Sequence, residues 1–326
     1  MISRKEQTKN QIVDISQWMT EEEVYPEGAR DKSLLMSPNT SSLQYNFCIP
    51  NHSYLFKRST KRCLEQYWIE IFAYQFGCLI GVPVPPAFVA YNNKTLEPGA
   101  LIEWFYTPNQ EKFVLGGDIL QAKIEGFERK KGRQQNFQSI IEILSDPFWK
   151  LEKNWLENWV KILTFDALIG NTDRHPDNWG IILENFDLVL QSSDVEKLTS
   201  RIAPAFDNGT SMGYEQLEKA LCRFKHQAYL QKYVNKGKPH LKWSLEENYG
   251  SRSNQAELLN RIMRTYPHLS DSMLSCFHFS RKQVEDIIWP LLEFDIMHQL
   301  SLKRATFMLD LICYRREHLL SSLNRP

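Results

Sequence analysis

The chain has 326 residues, enough for two hydrophobic cores, and its 39 basic and 39 acidic side chains cancel to a formal net charge of zero. That balance excludes a general attraction to nucleic acid or anionic membrane as the organising property of the chain. Hydrophobic content of 42% and charged content of 24% are those of an ordinary folded protein, not of a disordered or collagenous one.

Six cysteines, Cys48, Cys63, Cys78, Cys222, Cys276 and Cys313, lie far apart with no CxxC pair. The scatter argues against a zinc site and for free thiols in a reducing compartment. Residues 1–7 are charged, and no stretch approaches the ~18 apolar residues of a membrane span. A cytoplasmic location is the default expectation, with export by a dedicated secretion machine left open.

Residues 1–24 are polar, with an acidic tip at Glu21, Glu22 and Glu23, and read as a short lead-in. Next comes Glu27-Gly28-Ala29-Arg30-Asp31-Lys32. Backbone N–H groups near Gly28 could bind phosphate with Lys32 adding charge; equally, one glycine and one lysine make a surface turn. Residues 33–37 and 53–57 are short apolar runs bounded by turn formers, hence strands. Lys57 closes the second run. It is either a surface lysine at a strand end or one turned inward onto nucleotide phosphates and held by a helix carboxylate.

Residues 64–80 read as a helix, because Leu64, Trp68, Ile69, Phe72, Phe76, Leu79 and Ile80 recur at three- and four-residue steps. Gly81-Val82-Pro83 stops it. Glu70 is favoured over Glu65 as the partner of Lys57, since Glu65 lies nearer the helix start, where a carboxylate complements the dipole. Strands over 84–91 and 100–105 complete a small, mostly antiparallel sheet carrying one long helix. At its end Glu103 and Trp104 read either as an edge strand or as a linker offering backbone hydrogen bonds to adenine.

The remainder is helical. Residues 116–126, 137–144, 153–170, 254–265, 281–299 and 303–323 carry helix spacing, with Pro290 expected to kink or split its helix. Arg129-Lys130-Lys131-Gly132-Arg133 reads as an exposed basic turn, with a substrate dock as its weaker reading. Lys232, Lys236, Lys238, His240 and Lys242 form a second basic cluster that could meet an acidic or nucleic-acid substrate but has no specific pattern. Residues 181–183 and 188–190 flank Asn185-Phe186-Asp187 as hairpin strands would. Segment 214–260 matches no pattern.

The chemistry concentrates in Gly170-Asn171-Thr172-Asp173-Arg174-His175-Pro176-Asp177-Asn178-Trp179-Gly180 and the later Asp207-Asn208-Gly209. Phosphoryl transfer to a hydroxyl needs one carboxylate to orient the acceptor, then an amide oxygen and a second carboxylate to hold Mg²⁺ on ATP. Asp173 fits the first role, Asn178 and Asp207 the others. Arg174 and His175 read as holding the loop in shape, Asp177 as exposed. Each piece has a plain alternative, since the loop is rich in turn formers and Asp-Asn-Gly is a hairpin-turn signal. Against it, Ala205-Phe206 delivers Asp207 straight from apolar chain, and a buried carboxylate needs a partner such as Mg²⁺.

Over residues 24–320 the sequence resembles the HipA-like serine/threonine kinases. The specific part is Asp173-Arg174-His175 with Asn178 and the later Asp207, set in the supporting runs Asp166-Ala167-Leu168-Ile169-Gly170-Asn171-Thr172 and Ala205-Phe206 with Asn208-Gly209-Thr210-Ser211. Gly28 to Lys32, Tyr54-Leu55-Phe56-Lys57, Trp68-Ile69-Glu70, Gly81 to Pro85 and Leu101-Ile102-Glu103 support it through order and spacing. The resemblance implies an α+β, two-lobed protein-kinase-like fold. Residues 1–105 would form a small β-rich N-lobe with one long helix, and 106–326 a larger, mostly helical C-lobe. It also implies Mg-ATP as cosubstrate, a protein substrate, Asp173 as catalytic residue, Asn178 and Asp207 as metal ligands, and Gly28, Lys32 and Lys57 at the phosphates. Members of the family often act as toxins restrained by an antitoxin or other regulatory protein. Glu27 stands where the family's namesake carries an autophosphorylated serine. Other readings stay open: a phosphoinositide or small-molecule kinase, a non-catalytic nucleotide-binding pseudokinase, and a metal-dependent hydrolase built on Asp173 and His175.

Overall fold

The computed structural model describes residues 2–21, 31–42, 44–108, 110–186 and 198–323. Glu27, Gly28 and the expected strand 188–190 lie outside them. The chain divides into two compact units, each assembled from three stretches: 1–104, 207–229 and 279–313 in the first, and 105–206, 230–278 and 314–326 in the second. The division expected from the sequence, two contiguous blocks meeting at 105, differs from these units, because 207–229 and 279–313 group with the strands.

The first unit is built on a six-stranded sheet in the order β1-β5-β6-β4-β3-β2. Its strands are β1 (Val13–Asp14), β2 (Met19–Thr20), β3 (Lys32–Met36), β4 (Ser53–Lys57), β5 (Ala87–Asn92) and β6 (Glu97–Glu103). Only β1 and β5 run parallel; the other pairings are antiparallel, as the short turn-bounded runs predict.

The supposed lead-in is part of this sheet and supplies both edge strands. Val13, Ile15 and Trp18 are buried with Phe47, Tyr54, Phe56 and Phe88. Beyond β1, the Gln7 side-chain amide pairs with the backbone of Val89 in both directions, at 2.8 and 2.7 Å, as a strand would. Strands of two residues carry no readable alternation, which is why the sequence pattern does not reveal them.

Helix α1 (Tyr67–Ile80) begins three residues later than its apolar spacing suggests. It is buried on nearly every side, as expected of a helix with apolar residues all round. Gly81, at φ 73°, ends it in the left-handed region. Phe279 packs edge-on against Phe76 at 5.1 Å and Phe294 against Trp68 at 5.8 Å. These contacts, on either side of helix Arg281–Leu291, tie it to α1. The expected helix over 281–299 stops at Leu291, with Pro290 in its last turn.

The second unit has the antiparallel sheet β7-β8-β9, made of Lys112–Leu115, Gly180–Glu184 and Thr199–Ile202. Among the described residues β8 pairs with β7 and β9. Helices α2 (Gly116–Lys123), α3 (Phe137–Leu144) and α4 (Trp155–Ile169), with Gln255–Thr265, surround it in sequence. Trp159, Ile162, Leu163 and Phe165 of α4 are buried, as their spacing predicts. Among the described residues, no helix is long and apolar enough to cross a membrane.

Candidate active site

Three side chains far apart in sequence meet in the first unit. Alternation along β4 sends Phe56 to one face and Lys57 to the other. Lys57 is only 3% exposed; its ammonium lies 2.9 Å from Glu70 Oε1 and also contacts Asp207 Oδ1. The Glu70 carboxylate also accepts the N–H groups of Asn208 and Gly209, both at 3.1 Å. A buried carboxylate is tolerated only with such donors. Four residues before Glu70, Gln66 donates to the Gly209 carbonyl at 2.9 Å. One side of α1 and its lead-in thus clasps the Asp-Asn-Gly turn. Asp207 itself sits at φ 54°, a conformation that costs a non-glycine residue on the order of 1 kcal/mol and that Asp accepts more readily than most.

The competing carboxylate, Glu65, precedes the helix and is engaged elsewhere. It accepts the Ser301 N–H at 2.6 Å and lies 3.6 Å from the Arg304 guanidinium. Lys32 pairs directly with Lys57 across β3 and β4, so the two lysines share one face of the sheet. At the expected adenine linker, the N–H groups of Glu103 and Trp104 are engaged within the sheet. The Glu103 N–H donates to Pro86 at 2.8 Å, the Trp104 N–H to Ser53 at 3.0 Å, and His52 bonds the Trp104 carbonyl at 2.9 Å. The Glu103 carboxylate is paired with Lys5.

In the second unit α4 delivers the loop 171–178. Gly170, at φ 72°, turns the chain out of the helix. The loop is then held from inside by a buried pair: Arg174 Nε and Nη2 reach Asp166 Oδ2 and Oδ1 at 2.9 and 2.7 Å. Burial pushes the Asp166 carboxyl up, against the opposing pull of Arg174. The same guanidinium donates to the Asn178 carbonyl at 2.8 Å and to the carbonyl of Phe206, the residue before Asp207. Asn171 accepts the Asp173 N–H at 3.0 Å, and His175 Nδ1 accepts the Asp177 N–H at 3.2 Å. Arg174 and His175 therefore hold the loop, as expected. Asp177 is not simply exposed, because Arg129 binds it at 2.9 Å.

Asn178 donates its amide nitrogen to the Asp173 carbonyl at 2.8 Å. That bond fixes which end of the amide is oxygen, and among the described residues no donor reaches Oδ1. The Asp173 carboxylate belongs to a residue of intermediate exposure on the same loop.

Sequence reasoning missed the supports. Gln255 donates to the carbonyls of Asp166 and Asn171 at 3.1 and 2.7 Å, Arg315 to that of Ala167 at 3.2 Å, and Gln135 to that of Arg174 at 2.9 Å. Together they satisfy the orphan carbonyls at the end of α4 and along the loop. The signal for Asp166 was available: one carboxylate inside the apolar run 162–169 requires a buried partner.

No protein-family model matches the chain, and neither does any curated protein. Solved structures share its fold, among them these two. One is the Helicobacter pylori proinflammatory kinase CtkA, 17% identical, with a TM-score of 0.72 over 96% of this chain and 98% of that one. The other is HipA of Shewanella oneidensis MR-1, solved with HipB and operator DNA. It is 12% identical, with a TM-score of 0.50 over 94% of this chain and 67% of that one. The fold is thus α+β and protein-kinase-like.

Proposed function

We propose that the chain is a HipA-like kinase that transfers the γ-phosphate of ATP to a serine or threonine hydroxyl of a protein. The observation that carries this reading is the buried cluster in which Glu70 gathers the Lys57 ammonium and the Asn208 and Gly209 N–H groups while Lys57 also meets Asp207. A lysine held in this way presents a fixed positive charge next to a carboxylate, the pairing that triphosphate and its metal ion require.

The donor set suits Mg²⁺. Among the described residues no group of three or more His, Cys, Asp or Glu is arranged to hold a metal. An ion that brings phosphate and water oxygens with it needs only one or two protein groups. Asn178 Oδ1 and the Asp207 carboxylate would hold it, and the bound ion would neutralise charge on the phosphates. Lys57 and Lys32 bind phosphate oxygens. Asp173 orients the acceptor hydroxyl and takes its proton late in the transfer. The HipA structure, solved with HipB, brings a regulatory protein partner, antitoxin-like, into the same proposal, and with it a toxin role.

Labelled ATP tests the reading. The wild-type chain should phosphorylate protein in a mixed pool with Mg²⁺ present, and Asp173→Ala should bind ATP without transferring it. Transfer confined to the lipid fraction would move the substrate class, and ATP binding with no transfer by the wild type would leave a pseudokinase.

A further inference from the structure

The phosphoryl-transfer reading leaves unused two basic stretches, 129–133 and 232–242, and within the second unit these meet. A Cβ on Gly132 would lie 2.7 Å from the Pro176 ring and 3.6 Å from His240 Nδ1. The His240 N–H donates to the Thr172 carbonyl at 3.0 Å, and the His175 and His240 rings are 6.1 Å apart. Both stretches therefore touch the residues on either side of Asp173. Where they meet, the Tyr249 ring carries the Arg252 guanidinium 3.8 Å and the Arg133 guanidinium 5.7 Å from its centroid.

Several of these cations are already committed. Arg129 binds Asp118 and Asp177, Lys131 pairs with Glu128, and Lys242 is buried on the Leu245 and Glu247 carbonyls. His240 adds no charge near neutrality, because burial holds it down at about 4. Arg133, Arg252 and Lys238 are different. Among the described residues no carboxylate pairs with them, and Arg252 and Lys238 bond only main-chain carbonyls. In a chain of zero net charge this is a local excess, set beside the catalytic loop.

We propose that Arg133, Arg252 and Lys238 form a docking rim for a segment of protein substrate rich in Asp and Glu, next to the acceptor hydroxyl; this rests on the role proposed for Asp173. Guanidinium forks ordered on an aromatic ring match carboxylates in geometry as well as charge. Single-stranded RNA fits less well, since it stacks bases on open aromatic faces and the Tyr249 ring already carries two guanidinium groups.

The test measures anisotropy of labelled serine peptides on the full chain, one flanked by Glu and one by Lys, with an RNA oligonucleotide as competitor. The Glu peptide should bind about ten-fold tighter at low salt, the order of effect that one or two charge pairs produce, and added salt should erase the difference. Arg133→Glu combined with Lys238→Glu should remove or reverse the preference, while Lys123→Glu, exposed on α2, should not. Equal binding of the two peptides by the wild type overturns the proposal, as does displacement of the Glu peptide by RNA at lower concentration. Adding Mg-ATP separates the two claims: selective binding without phosphorylation counts against the kinase reading and leaves the rim standing.

Discussion

At the scale of single residues, Glu70 is the hub, since one buried carboxylate serves an ammonium and two backbone N–H groups. Glu70→Gln keeps the shape but places an amide where one of those donors now points, and strips Lys57 of half its counter-charge. Urea unfolding should show a loss of about 3–5 kcal/mol, the range for breaking a buried ion pair from one side. ATP titration should show affinity falling at least about ten-fold. Unchanged values in both would mean that the contact is incidental. His240 makes the second residue-scale case. Burial, with His175 and Arg252 nearby, lowers it from 6.5 to about 4. As pH falls below 6.5 the unfolded chain binds a proton there and the folded chain does not. The stability contributed is therefore complete above that value and is lost as pH drops toward 4. Because the ring is partly open to water, the loss between about pH 7 and pH 5 should be about 1–2 kcal/mol. Denaturation of wild type and His240→Gln at the two pH values checks it, since the variant should lack this part of the slope.

At the scale of elements, two helices end on left-handed glycines with different surroundings. Nothing lies within 4 Å of a Cβ placed on Gly81, whereas one on Gly170 would meet the Arg315 guanidinium at 2.5 Å. Gly81→Ala should cost about 1 kcal/mol, the left-handed penalty alone. Gly170→Ala should cost about 3 kcal/mol, because Arg315 must also give up its hold on the end of α4. Thermal melts of the pair isolate the contribution of Arg315, and equal losses would show that it is dispensable. These elements also mark what a sequence discloses. Long helices and strands of five or more residues mostly announce themselves through period, as α4 and β4 do, although the helix Gln227–Lys236 falls in the segment 214–260 where no pattern is legible. The edge strands β1 and β2 do not, since two residues have no period and their pairing is fixed by distant β5 and β3. The same limit hides Gln255 and Arg315, whose partners lie on α4, and conceals that the Glu103 and Trp104 N–H groups are spent on neighbouring strands.

At the scale of the whole molecule, the residue types of the candidate site were legible because the phosphoryl transfer proposed for it asks for a short list of oxygen donors and one ammonium. The assembly of each unit was not. Which helix joins which sheet depends on contacts such as Phe76 with Phe279, which no local pattern encodes. The proposed function has a consequence for stability of the entire chain. A ligand that binds only the folded state stabilises it by mass action, about 2.7 kcal/mol at a hundred-fold excess over Kd. Mg-ATP should therefore raise the melting temperature of the wild type and of Asp173→Asn alike, since Asp173 acts on the acceptor. Asp207→Ala should lose most of that rise, because it removes the proposed metal ligand and a partner of Lys57. Chelating the Mg²⁺ should erase it in the wild type as well. In turnover the order inverts: Asp173→Asn should fall by about two to four orders of magnitude while its thermal response persists. A full Mg-ATP rise in Asp207→Ala would remove Asp207 from the metal site, and loss of the rise in Asp173→Asn would move that residue from the acceptor to the nucleotide.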